Sequence, residues 1–475
     1  MIQAPRPAGL VLDAGSAARL TGGTWIGSER QVEIHGAAID SRAVTAGCLF
    51  ACLNGARADG HDFAATAVGD GAALVLASRQ VSVPAPLLLV DDVPRALALL
   101  AGGFRRRYAS GCTWIGIGGA NGKTTTKELI AAACGAAAPG QVHATRGNLN
   151  NHLGVPLSVL ATPPGMRFAV IELGANHPGE VSQLAAIAQP QVGVVVSIGP
   201  EHLEGFGDLA GVARSECELF AALQPGAPAL IGIEGMQAHA GTHGTSLTAL
   251  LGIIRSAAAG RRLTLVGGDQ ADRVVVDGTV HGDGIELMTA YGSVRIPLLG
   301  HHNLANATLA FHAALAAGVA PAAALAGLAA ARPVPGRLVP RRAGRHLLLD
   351  DTYNANPASM IAGLEVLASQ SGARLAVLGP MGELGEASLA AHHQVGAAAA
   401  RLALPLISVG PGAEPIGEGY RAAGGTDHQH AADRTAAVGL VQRRLRAGDT
   451  AVLVKASRSA GLELVVRSLI EAATP

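Results

Sequence analysis

The stretch TWIGIGGANGKTTTKELI, from Thr113 to Ile130, decides how the rest of the chain is read. Thr113 to Ile117 is short, apolar and β-branched, a loop of small residues follows, and helix formers begin near Lys123, so the run reads as strand, loop, helix. A phosphate cradle needs that order. Gly116, Gly118, Gly119 and Gly122 let the backbone turn tightly against a polyphosphate, and a helix N-terminus adds partial positive charge. Lys123 would reach the outer phosphates, and the hydroxyl of Thr124 would hold Mg²⁺. The strict P-loop pattern asks for glycine where Ile117 stands, and here the glycine sits one place earlier, at Gly116. The alternative is a glycine-rich turn followed by an exposed lysine; Gly-Lys-Thr at a strand-to-helix turn favours nucleotide binding and leaves the reaction open.

At 475 residues the chain is too long for one ordinary core, and its length implies about three domains. Hydrophobic residues make up 49%, charged residues 15%, and there are 63 glycines, which suits a globular α/β protein rich in turns. Lys plus Arg and Asp plus Glu are both 35, so no overall field favours nucleic acid or an anionic membrane, and anionic ligands must be held locally. The five cysteines are odd in number and lack metal-type spacing, which points to a reducing cytoplasm. The first residues show no basic start followed by a long apolar core, so no export signal is expected. The Ala-rich run from Ala313 to Ala331 contains Pro321 and reads as a buried helical pair, not a membrane span.

Working outward, the region up to about Ser110 has short apolar runs separated by Gly and Asp turns, a small α/β domain in which Asp40-Ser41-Arg42 and Asp59-Gly60-His61 fall in loops. These are either plain turns or a polar grip on a second substrate. From Thr113 to about Arg332 strands alternate with helices, which implies a parallel sheet with ligands outside the strand C-terminal ends. Between about Gly260 and Pro297 the runs TLVGG, RVVVDG, IELMTA and SVRIPL suggest an antiparallel insertion at one edge. From Pro335 onward HLLLDDTYNANP, RLAVLGPMGELGE, LPLISVG and AVLVKASRS read as a further parallel sheet. The fold class is therefore α/β in three domains: residues 1–110, a small N-terminal α/β domain; 111–332, a central P-loop-type parallel-sheet domain; and 333–475, a C-terminal Rossmann-like domain.

Polar groups at strand ends carry the most weight. Glu172 ends the run RFAVIEL beside the phosphate loop and is the first choice for a Mg²⁺ ligand, against a merely solvated acid. His202 follows another strand in IGPEHLEGFGD, as a metal ligand or a hydrogen-bonding cap. Asn148, Asn150 and Asn151 form an amide-rich loop that is either well bonded to itself or faces a polyphosphate. Asp350, Asp351, Arg337 and Lys455 are candidate ribose, phosphate or carboxylate contacts of the last region.

The ordered set DSRAVTAGCLF, ADGHDF, GANGKTTTKE, GNLNNHLGVP, VIELGANHPGE, HLEGFGDLAGVA, HHNLANA, VPGRL, DDTYNANPASM and LVKASR resembles the Mur ligase family over nearly the whole chain. Within that family it is most similar to the members that join D-alanyl-D-alanine to UDP-N-acetylmuramoyl-tripeptide. The Asp-Asn-Pro-Arg string of the diaminopimelate-adding ligases is absent, and folylpolyglutamate and cyanophycin-type ligases lack the ELGANHPGE and HLEGFG pair. A catalytically silent nucleotide-binding partner is the alternative of a different class, and intact Glu172 and His202 argue against it.

The resemblance implies ATP and Mg²⁺ as cofactors, a cytoplasmic monomer, a UDP-sugar-binding first domain, and peptide-bond formation through an acyl phosphate. It implies that Gly119, Ala120, Asn121, Gly122, Lys123, Thr124 and Thr125 hold ATP and that Thr124, Glu172 and His202 serve metal. Asn303 and Asn306 would meet adenine, Arg337 the γ-phosphate and Asp351 the ribose, while Ser41, Arg42, Asp59, Gly60 and His61 would grip the UDP-sugar. Two departures stand out. Gly379-Pro380-Met381 replaces the family's Gly-Asp-Met, and Glu216 stands where the family tends to carry a lysine carbamylated to serve a second metal. Glu216 either supplies that carboxylate permanently or faces solvent on a helix.

Overall fold

The computed structural model describes residues 10–55, 58–108, 111–236, 240, 244–268, 273–445, 448 and 450–473. Its centre is a seven-stranded, all-parallel sheet. Thr113–Gly118 (β1) runs into the phosphate loop, and Lys123–Ala137 (α1) follows it. Phe168–Glu172 (β2) flanks β1 on one side and Val192–Val195 (β3) on the other. The strand Val142–Ala144 lies outside β2, and Pro228–Gly232, Arg262–Val266 and Arg273–Val274 lie in that order outside β3. Strand order thus reverses around β1, and the loops after β1, β2 and β3 open into one crevice, where ligands bind in such sheets. Leu209–Glu216 (α2) packs beneath that crevice.

Within β1 the glycines have two jobs. A Cβ on Gly116 would lie 3.1 Å from Pro190 and 3.2 Å from Leu219, so this residue permits close packing inside the strand and not a turn. Only Gly119 (φ +114°) and Gly122 (φ +85°) adopt the left-handed backbone that the loop needs. A Cβ on Gly119 would sit 2.6 Å from the backbone nitrogen of Val196, which fixes the loop against the end of β3.

The expected antiparallel insertion is smaller than the sequence pattern suggests. Arg262–Val266 and Arg273–Val274 are parallel members of the central sheet, the first reached by a crossover through the helix Leu247–Ala257. Antiparallel pairing is confined to Gly278–His281, Gly284–Thr289 and Gly292–Ile296. A short apolar run looks the same in either kind of pairing, and the preceding helix decides. The Ala-rich stretch forms two helices, His301–Ala316 (α3) and Pro321–Ala330, with Pro321 in the first turn of the second. No helix among the described residues is long and apolar enough to cross a membrane.

The N-terminal sheet has five strands in the order Thr24–Ile26, Leu87–Leu89, Leu74–Ala77, Leu49–Ala51, Ala37–Ala38. Its junction with the centre is apolar. Leu97, Leu100 and Phe104, from the helix Val93–Tyr108, share one continuous core cluster with Val155, Leu184 and Trp114. Arg105 seals the seam, donating to the carbonyls of Ala188 (3.0 Å) and Gln189 (2.9 Å) while its guanidinium lies 4.7 Å over the Trp114 ring.

The last sheet has the order Val339–Ala343, His346–Asp351 (β4), Thr450–Lys455 (β5), Ala373–Leu378, Leu406–Val409, His428–Ala431. Its first strand pairs antiparallel and the rest are parallel. Pro357–Ala368 (α4) follows β4, opened by a capping box in which Asn356 and Ser359 satisfy each other's backbone N–H. The two cores of this sheet are its own, apart from Leu299, which joins one of them.

Candidate active site

The crevice is built around Lys123. Its ammonium donates to the carbonyl of Gly119 and, at 3.3 Å, to that of Ala120, and lies 3.5 Å from Glu201 Oε1. Burial pulls its pKa down, but Glu201, Glu216 and Glu172 together outweigh that and hold it above its ordinary value. The ammonium thus lies against its own loop, with two carbonyl oxygens and a carboxylate around it.

Glu172 enters from the end of β2. Its backbone N–H is tied to Thr145 Oγ1 at 3.0 Å, its Oε1 accepts from Asn150 Nδ2 at 2.9 Å and from Thr124 Oγ1 at 3.4 Å, and its buried Oε2 has no partner. Of the amide-rich loop, Asn150 therefore reaches the site, whereas Asn151 Oδ1 accepts from the backbone N–H groups of Leu153 and Gly154 at the next helix start. A Cβ on Gly174 would lie 2.8 Å from the Asn150 amide, so glycine there makes room for it.

Glu216 does not face solvent. It ends α2 fully buried, its Oε2 accepts the Gly119 N–H at 2.5 Å, and its Oε1 is unpartnered. Burial raises its pKa, opposed by Lys123 and by the Gly119 bond. Glu201, which the sequence reading passed over, is largely buried, and burial pushes its carboxyl up to about 8 against the pull of Lys123. The strand-end rule that singled out His202 applied equally to its neighbour.

The loop's own N–H groups are mostly spent. Gly119 donates to Glu216, Ala120 to the Ser197 carbonyl (2.9 Å) and Asn121 to Ser197 Oγ (2.9 Å). The start of α1 has no side-chain cap, so the donors left for an anion are those of its first turn, at Lys123, Thr124 and Thr125. On α3, Asn303 Nδ2 donates to the Leu299 carbonyl (2.8 Å) and Asn306 Nδ2 to Asn303 Oδ1 (3.0 Å). A Cβ on Gly122 would lie 2.7 Å from Asn306 Oδ1, which places this buried amide pair against the loop.

His202 stands at the rim in a left-handed conformation (φ +46°), with Nδ1 facing Glu383 Oε2 at 3.7 Å. Burial and then Lys123 lower its pKa, which keeps the imidazole neutral and able to ligate. No group of three or more His, Cys, Asp or Glu side chains among the described residues is already gathered at metal-holding distance. The open oxygens of Glu172 and Glu216, with the Thr124 hydroxyl, nevertheless suit a hard cation, which takes oxygen ligands and keeps several waters.

The remaining expected residues lie in two further groups. In the third domain Asp351 Oδ2 pairs with Lys455 Nζ at 2.7 Å, and Oδ1 accepts the Leu338 N–H at 3.1 Å. Lys455, its pKa lowered by burial, also donates to the Asn354 carbonyl at 2.9 Å. Arg337 lies 4.3 Å over the Tyr353 ring with its buried Nε unpartnered. In the first domain Asp40 and Asp59 each cap a short 3-10 turn. Ser41 and exposed Arg42 form one, with Arg42 2.6 Å from Asp40 Oδ2. Gly60 and His61 form the other. His61 is buried, its Nδ1 2.6 Å from Asp59 and its Nε2 accepting from the Ser78 N–H at 3.1 Å, so both ring nitrogens serve the loop itself.

Three family models match in order: the Mur ligase family catalytic domain over residues 33–105, the Mur ligase middle domain over 117–314, and the Mur ligase glutamate ligase domain over 336–458. The chain belongs to the Mur ligase family. Among curated relatives, the UDP-N-acetylmuramoyl-tripeptide–D-alanyl-D-alanine ligase of Escherichia coli is 38% identical over 92% of this chain and 93% of its own. Crystal structure I of MurF from Acinetobacter baumannii superposes with a TM-score of 0.83 at 31% identity, covering 98% of this chain and 100% of that one. MurF ligase from Thermotoga maritima in complex with ADP gives a TM-score of 0.76 at 26% identity, covering 92% and 98%.

Proposed function

We propose that the chain joins the amine of D-alanyl-D-alanine to the terminal carboxylate of UDP-N-acetylmuramoyl-tripeptide, converting ATP to ADP and phosphate and giving the pentapeptide precursor of peptidoglycan. The observation that carries this is the crevice in which Lys123 meets Glu172, Glu201 and Glu216, in a chain 38% identical over 92% of its length to a ligase of that name. A substrate carboxylate oxygen attacks the γ-phosphorus, the bond to the β-phosphate oxygen breaks, and an acyl phosphate forms. The amine then attacks the acyl carbon, phosphate leaves from the tetrahedral intermediate, and the nitrogen loses its proton.

Both steps bring anions together, so cations and donors must dominate. Lys123 exchanges the Gly119 and Ala120 carbonyls for phosphate oxygens, and the first turn of α1 supplies N–H groups. Thr124, Glu172 and His202 hold Mg²⁺, with Glu216 as a further carboxylate; the ion, when bound, spreads the negative charge of the phosphates. Asn303 and Asn306 receive the adenine, Arg337 the γ-phosphate, and Asp351 the ribose through lone pairs left beyond its bonds to Lys455 and Leu338. Arg42 and Ser41 contact the UDP-sugar, while Asp59, Gly60 and His61 shape the loop beside them.

This reading assigns residues 1–110 to the UDP-sugar, 111–332 to ATP and 333–475 to closing the site, in a cytoplasmic monomer that binds no nucleic acid. The test is ADP release with both substrates and with each omitted. Turnover should need both; release with glutamate and a folate, and none with the muramoyl peptide, would overturn it.

A further inference from the structure

Asn356 opens α4 with every polar atom of its side chain engaged. Its Oδ1 accepts the Ser359 N–H at 2.9 Å, and its backbone N–H is met by Ser359 Oγ at 3.1 Å, so the helix end is held rigid. Its Nδ2 donates 2.6 Å to Asn121 Oδ1, in the phosphate loop 235 residues away. Asn121 is itself fixed, since its backbone N–H donates to Ser197 Oγ (2.9 Å) and its carbonyl accepts from the same hydroxyl (3.1 Å). A chain of hydrogen bonds therefore runs from the end of β3, through the phosphate loop, to the first turn of the third domain's helix.

The choice of residue is informative. Ser and Asp cap helices about as well as Asn, and Thr somewhat less well. Ionised Asp has no donor, and the hydroxyls are too short to cap one element and span to another. The first and central domains share a continuous core, whereas the third keeps its own cores apart from Leu299. Polar bridges such as this one, and the facing of His202 and Glu383 at 3.7 Å, meet the third domain at the crevice itself.

We infer that Asn356 is a positioning residue which, through Asn121, seats the third domain on the phosphate loop and so brings Arg337 and Lys455 to the nucleotide. The inference rests on the reading of that loop as the ATP site. The bridge joins the third domain to the phosphate loop and not to the first domain, so it governs turnover in the seated state and leaves capture of the UDP-sugar by the first domain alone.

The test is a double-mutant cycle of Asn356→Ser, which keeps a capping hydroxyl but loses the reach, with Asn121→Ala, assayed by ADP release with both substrates. Asn356→Ser should lower kcat about tenfold, within the usual range of coupling between sites. Its KM for the UDP-peptide should stay within about twofold and its melting midpoint within about 2 °C of the parent. The double variant should be no slower than the slower single one. Full kcat in Asn356→Ser, losses that multiply in the double variant, or a loss that tracks a lowered melting midpoint would each overturn the inference. Lys123→Ala, run beside them, separates the two failures: if it retains turnover, the ATP-site reading falls, and if it is dead while Asn356→Ser is fully active, only the bridge does.

Discussion

Replacing Glu216 by glutamine tests the centre of the site with the least change of shape. The side chain is fully buried at the end of α2, with Oε2 on the Gly119 N–H at 2.5 Å and Oε1 unpartnered. Glutamine keeps the length and one acceptor but removes the charge that acts on Lys123. A hydrogen bond to a charged group contributes about 1.5–3 kcal/mol against about 1 kcal/mol for a neutral one, so the Gly119 bond alone loses on the order of 0.5–2 kcal/mol. Expressed in the transition state, that is roughly 2- to 30-fold in rate, and the lost charge beside Lys123 adds to it, for an expected fall in kcat/KM of about 10- to 100-fold.

Stability should depend on pH. Burial raises the folded pKa of Glu216 above its ordinary 4.5, so its favourable contribution is complete below that value and is lost as pH rises through the folded one. The carboxylate grows costlier as pH rises and the amide does not, so the melting temperature of Glu216→Gln should rise relative to the parent's with increasing pH. Coupled ADP release and calorimetry on the same preparations measure both quantities. Turnover within about twofold of the parent would refute the catalytic reading, and a slow variant that melts lower by the same amount at every pH would reduce Glu216 to a packing residue.

The parent enzyme should be indifferent to bicarbonate, because its carboxylate is permanent, and Glu216→Lys should regain turnover only when bicarbonate is added; recovery without it would contradict the carbamate analogy. Lys123→Ala should lose a few kcal/mol of barrier, roughly a hundredfold or more in rate; a variant within about threefold of the parent would remove the phosphate loop from the mechanism. His143 is buried with Nε2 donating to the Ser158 carbonyl at 2.9 Å, and burial takes its pKa from 6.5 to about 4. Its stabilising contribution, roughly 3 kcal/mol, is therefore present above pH 6.5 and lost as pH falls toward 4. Urea midpoints for parent and His143→Gln should diverge at pH 7 and converge near pH 4, and parallel curves would refute this. Small-angle scattering with both substrates and an ATP analogue should show compaction, and an unchanged envelope would mean the cleft is pre-formed.

What the sequence made legible was local. The phosphate loop lies within one short run, where composition fixes strand, turn and helix, and the place of Glu172 at the mouth of the sheet follows from its position at the end of a parallel strand. What it hid was long-range. Gly119 and Glu216 are 97 residues apart, and Asn121 and Asn356 are 235 apart, so neither partner announces the other. Glu216 lay open between solvent and site because helix position alone does not say which face is covered. Gly116 looked like a loop residue because glycine for close packing and glycine for a turn are the same letter, and only its neighbours Pro190 and Leu219 separate the two.

The two junctions of the chain differ in kind, and that difference bears on how the reaction is timed. Between the first and central domains Leu97, Leu100, Phe104 and Trp114 lie in one core, with Arg105 bonded across it, so opening this joint would expose apolar surface. Between the central and third domains, Leu299 apart, stand an amide pair at the phosphate loop and a histidine facing a glutamate, contacts that water can replace at little net expense. Motion on ligand binding should therefore fall on the third domain, which carries Arg337, its unpartnered Nε, and the Asp351–Lys455 pair. The short loop whose Asn121 holds the third domain also carries Lys123, so nucleotide binding and the seating of the third domain act on one stretch of chain.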